Sequence, residues 1–170
     1  MLCLAFSLVM AVSPAGQEQA FGETPSLAEL RNAVYRSPWT PSGTAPLTDG
    51  EYREPAASGS AVQTRVKLTK WIAFGTVDGK AAAAVILVTD PGGSGIFYDL
   101  ALVVRRYGGL TNPATAHLGD RVKIDSLAMK NGMIVVDMKD HGPGDPMCCP
   151  RHARRRTFSV RNDRLLPIRE

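Results

Sequence analysis

The chain has 170 residues, of which 44% are apolar, 21% charged and 6% aromatic, with a formal net charge of +4. That length suits one domain, and the mix excludes a disordered or fibrous chain. Gly (16) and Pro (12) supply more punctuation than a helical bundle tolerates, which favours short strands joined by turns.

Residues 1–12 read MLCLAFSLVMAV, uncharged and shorter than the roughly 20 apolar residues of a membrane-spanning helix. The run fits the apolar region of a secretory signal, with cleavage expected after Ala15 or later, near Gly22. No Lys or Arg precedes Arg31, so the usual basic lead is missing, and a buried N-terminal strand or helix is the competing reading. Cys3 leaves with a cleaved signal. The expected location is therefore periplasmic or secreted.

Ser26-Leu27-Ala28-Glu29 has the spacing of a capping box. Leu27, Leu30, Ala33 and Val34 follow at helical spacing, predicting a helix over 27–35 that Ser37-Pro38 stops. Residues 38–60 are rich in Pro, Gly, Ser and Thr and read as loop, with a short edge strand near 50–53. From Gln63 the period becomes two, giving a strand with one wet face, then a second apolar segment over 71–77. The continuous apolar run 81–89 predicts a buried central strand. After the turn 90–95, Ile96, Tyr98, Leu100, Leu102 and Val104 alternate as a long strand. Residues 108–113 read as loop and 115–118 as a short strand. Asn131-Gly132 between apolar runs is the sharpest hairpin signal, since both residues tolerate positive φ. A last hairpin is expected across 161–163. The fold class is mainly β, α+β only by one short N-terminal helix. It is an antiparallel meander, small sandwich or open barrel, forming one domain over 26–168.

Several stretches together carry a resemblance: Ile72-Ala73-Phe74-Gly75, Gly92-Gly93-Ser94-Gly95-Ile96-Phe97, Leu118-Gly119-Asp120-Arg121-Val122, Asn131 to Met138, and His141-Gly142-Pro143-Gly144-Asp145-Pro146-Met147-Cys148-Cys149-Pro150. With them the chain resembles a family of bacterial exported proteins of uncharacterised function. The resemblance implies an envelope location and no known reaction. That family carries an acidic loop like a calcium site after its Phe-Gly pair. Here 76–81 is short and holds only Asp78, whereas calcium needs about six to eight oxygens, so calcium is dropped. The arginine-rich end also departs from the family.

Reactive groups concentrate in 137–152. Cys148 and Cys149 are adjacent, and an oxidising compartment favours a disulfide between them, although neighbouring Cα atoms about 3.8 Å apart lie below the usual range. His141, Cys148, Cys149 and His152 are the metal candidates, because thiolate and imidazole suit zinc or copper(I). Against that, zinc sites space their cysteines by about two to four residues. No other cofactor is expected. Gly92 to Gly95 lacks the Gly-Lys-Ser/Thr ending and the helix of a phosphate loop, so it reads as a turn. His117 stands alone, and Asp99 is a lone carboxylate on an apolar strand whose burial would raise its pKa.

Residues 151–170 hold seven arginines against Asp163 and Glu170, a balance of +5, so the whole-chain +4 leaves −1 for residues 1–150. Arg151, Arg154, Arg155 and Arg156 are candidates for an anionic surface or an acidic partner. The competing reading is a solvated edge strand, where such charges deter aggregation. No motif or stacking aromatics point to specific nucleic-acid recognition. The expected function is a non-catalytic envelope interaction or structural module; the alternative is a metal- or redox-handling protein using the Cys148-Cys149 loop.

Overall fold

The computed structural model describes residues 22–168; the expected signal and Cys3 lie outside them. Regular structure begins with α1 (Leu27–Arg31), followed by β1 (Val34–Arg36), β2 (Thr44–Pro46) and β3 (Glu51–Pro55). Four longer strands come next: β4 (Gln63–Val77), β5 (Lys80–Asp90), β6 (Phe97–Arg106) and β7 (Gly109–Asp120). The chain finishes with β8 (Lys123–Lys130), β9 (Met133–Asp140), β10 (His152–Arg161) and β11 (Arg164–Ile168). The fold is mainly β, as expected. β3 to β7 form one antiparallel meander of five strands and β8 to β11 a second of four, while β1 and β2 make a separate ribbon.

Both faces of β5 and β6 are buried, and the sequence says why. Ala82, Ala84, Ile86, Leu100, Leu102 and Val104 point towards the four-stranded sheet, meeting Ile124, Ile134, Val136, Met138 and Phe158. Ala83, Val85, Leu87, Ala101 and Val103 point the other way, under Leu30, Tyr35, Ala45 and Leu47 of the N-terminal segment. A continuous apolar run is the sequence of a strand covered twice. Each fully buried Leu, Ile or Val contributes about 1.5–3 kcal/mol.

The helix is shorter than its periodicity predicts. The capping box forms, with Ser26 Oγ accepting from the Glu29 N–H at 3.2 Å and Glu29 Oε2 accepting from the Ser26 N–H at 2.9 Å. Yet the helix stops at Arg31, and Val34 and Tyr35 pair with Pro46 and Ala45 instead. β-branched and aromatic residues favour that extended pairing. Within residues 38–60 the expected edge strand forms as β3, while 44–46, read as loop, form β2. The segments 63–69 and 71–77 are one strand, bent by an irregularity between Leu68 and Ile72. The stretch 108–113 is also strand rather than loop: β7 is an outer strand of its sheet, where Pro113 costs no ladder bond to a further neighbour.

Turn chemistry matches the residues. Asn131 and Gly132 have φ of 51° and 70°, as a type I′ turn requires. Gly92 has φ of 83°, and a Cβ there would lie 3.1 Å from the Gln63 carbonyl oxygen, so the turn leading into β6 needs glycine.

Candidate functional site

The loop between β9 and β10 is held by its own polar groups. Asp145 Oδ2 accepts from the Gly142 N–H at 3.0 Å and the Arg151 N–H at 2.9 Å. These two bonds hold the carboxyl below its ordinary range. The Cys149 N–H donates to the Pro146 carbonyl at 2.9 Å, and His141 Nε2 lies 3.1 Å from the Met147 carbonyl. The frame presents Cys148 and Cys149 to solvent as a disulfide, with Cα atoms 3.8 Å apart.

That disulfide is one wall of a groove of about 600 Å³. Trp71 at the bend of β4 and Tyr98 on β6 form further walls, and Lys70, Arg121 and Lys123 stand around it. The Lys70 ammonium lies 5.0 Å over the Trp71 ring. Arg121 Nη1 donates to Asp120 Oδ2 at 2.8 Å. Lys123 is exposed, and the groove is lined by no carboxylate among the described residues.

The four metal candidates do not converge. His152 Nδ1 lies 2.8 Å from Asp140 Oδ1, His141 turns to the Met147 carbonyl, and the two sulfurs are bonded to one another. Among the described residues no three His, Cys, Asp or Glu side chains form a group able to hold a metal ion. The register of β9 and β10 sets His152 opposite Asp140, which draws its imidazole to that carboxylate.

The arginines are engaged with the protein. Arg154 Nε lies 2.8 Å from Asp140 Oδ2, and Arg155 Nε donates to Asp137 Oδ1 at 2.7 Å. Arg156 donates to the His117 carbonyl at 2.7 Å, with its guanidinium 5.1 Å over the Phe158 ring. The Arg151 backbone N–H closes the cysteine loop.

A second cluster escaped the sequence reading. Asp99 is 2% exposed, on the β6 face that also carries Ala101 and Val103. Its Oδ2 accepts from the Trp39 indole N–H at 2.8 Å, and its Oδ1 lies 3.0 Å from His117 Nδ1. Trp39 stacks on Phe97 with ring centroids 3.7 Å apart. Burial pushes the Asp99 carboxyl upward, against the bonds from His117 and Trp39 that lower it. A β-bulge makes the meeting possible: Tyr98 faces Gly119 but Asp99 faces His117, leaving Leu118 as the extra residue. The sequence marks Asp99 and His117 only as two separate residues. The bulge, and the arrival of Trp39 from sixty residues away, carry no local mark.

No family model, curated protein or solved structure matches the chain.

Proposed function

We propose that the protein is an exported, non-catalytic envelope module that binds an anionic component in the groove beside Cys148-Cys149. The observation that carries this is the groove itself: Lys70, Arg121 and Lys123 around apolar walls, with no carboxylate in its lining among the described residues. A pocket of mixed walls with a few convergent charges is the usual form of a binding site. The apolar, uncharged start at residues 1–12 and the resemblance to exported proteins support the compartment.

The test has two parts. Cell fractionation should place the full-length protein outside the cytoplasm. The purified protein should co-sediment with bacterial envelope fragments, less so as salt rises, and Lys70→Glu with Lys123→Glu should weaken that binding about tenfold or more. Binding that ignores both lysines overturns the reading.

A second reading, redox handling, is favoured by the solvent exposure of the paired sulfurs. Intact mass and thiol alkylation decide it. A pair that stays closed under physiological dithiol reductants supports a structural wall, and rapid cycling supports redox work.

A further inference from the structure

Resting on that reading, we infer that the groove selects a sugar bearing an acidic group, such as a sugar phosphate, rather than an anion alone. The walls divide the labour. Cys148 and Cys149 are consecutive, so their bridge is a compact, solvent-facing surface with no hydrogen-bond donor and only weak sulfur acceptors. Sulfur is soft and polarisable and packs well against carbon. Such a surface suits the C–H face of a sugar ring.

The aromatic residues add to that wall but leave little room for a stacked base. One face of Trp71 carries the Lys70 ammonium, and Trp71 and Tyr98 both pack against the core between the sheets. A fatty chain would need a deeper apolar slot than this open groove offers. The volume of about 600 Å³ falls in the range of small-molecule pockets and holds a monosaccharide or disaccharide.

Charge complementarity supplies the acidic group. Arg121 is already paired with Asp120, so it orients rather than neutralises. Lys123, exposed and without an acidic partner among the described residues, is the cation left for a phosphate or carboxylate. Lys70 lines the same groove, held near Trp71. A charge-assisted bond to each would fix the acid at the rim while the ring lies on the sulfur pair.

The test is calorimetric titration of the full-length protein with glucose 6-phosphate, inorganic phosphate, glucose and adenosine monophosphate. Glucose 6-phosphate should bind about tenfold or more tightly than phosphate or glucose, since both halves of the ligand contribute. Lys123→Glu should abolish the gain, whereas Lys130→Glu, on an exposed hairpin end, should keep it. Vesicles displaying a phosphorylated glycolipid distinguish an envelope-bound source from a free sugar phosphate: binding to those vesicles tighter than to free glucose 6-phosphate assigns the former, affinity equal to that of free glucose 6-phosphate the latter. Phosphate equalling the sugar phosphate, tighter nucleotide binding, or plain phosphatidylglycerol vesicles binding as well as glycolipid ones would each overturn the inference. If envelope fragments still bind through Lys70 and Lys123 while sugar phosphates neither bind nor compete, only the sugar inference falls. If neither binds, the groove reading falls with it.

Discussion

Asp99 shows what one residue can hold together. It joins β6 to Trp39 of the β1–β2 connection and to His117 of β7, which fastens the N-terminal cover onto the sheet. Its carboxyl sits above the ordinary value in the folded state, chiefly through burial. A raised pKa means that the native state favours the protonated acid, so this contribution is present below the unfolded value and fades as pH rises through the folded one. Asp99→Asn keeps an acceptor for the Trp39 indole without a buried charge. We therefore expect the stability of wild type relative to Asp99→Asn to fall as pH rises above the ordinary aspartate value of about 4, read by urea denaturation across a pH series. Parallel curves for the two proteins would refute the assignment. Asp99→Ala, which strands the indole N–H, should cost about 1–3 kcal/mol at pH 7. The sequence marked Asp99 and His117 separately, because a contact set by a bulge and a distant loop has no period to read.

Among the elements, α1 is the one whose strength can be traced to single bonds. Five residues cannot sustain a helix by propensity. The capping box starts it, and Arg105 of β6 pairs with Glu29 at 2.8 Å, tying it to the sheet. Bonds from the Ser26 backbone, Arg105 and the Ser26 hydroxyl hold Glu29 at about 2, against an ordinary 4.5. That lowered value contributes stability present above the unfolded pKa and lost as pH falls through about 2. Ser26→Ala should cost about 0.5–2 kcal/mol in chemical denaturation. The protection factor of the Leu30 amide, corrected for the pH dependence of intrinsic exchange, should fall below about pH 4.5 in wild type, and a protection factor constant down to about pH 2 would contradict the linkage. The start of this helix was plain in the sequence. Its end was not, because Tyr35 sits at helical spacing yet is drawn into β1 by the pairing with Ala45 and by its hydroxyl donating to the Leu30 carbonyl at 2.8 Å.

At the scale of the whole molecule the two meanders share one core and also touch at a corner. β4 comes close enough to β8 that a Cβ on Gly75 would lie 2.9 Å from the Met129 side chain. Arg106, at the end of β6, pairs with Asp163 in the β10–β11 turn. Gly75→Ala should therefore destabilise by about 1–3 kcal/mol through overpacking, and adding Met129→Ala should recover part of that loss in a double-mutant cycle. Strictly additive effects would show that the corner is looser than its geometry. The apolar strands and the turns at Asn131-Gly132 and Asn162-Asp163 were legible because period and φ are local properties. The double cover over β5 was partly legible in the run 81–89. In β6 the alternation of Ile96, Tyr98, Leu100, Leu102 and Val104 marks the strand but one face only, and Ala101 and Val103 on the other are buried too. Small residues on the second face simply leave room for Leu30, Tyr35 and Leu47 to lie close.

That second cover bears on synthesis. A ribosome makes the chain from its N-terminus, so α1, β1 and β2 exist before the strands they shield. When the run Ala81 to Leu87 emerges, wholly apolar and uncharged, its lid is already upstream and tethered. Such runs seed aggregation when they wait uncovered. In this chain order, the segment most prone to sticking is the one that never has to wait for its partner on that side.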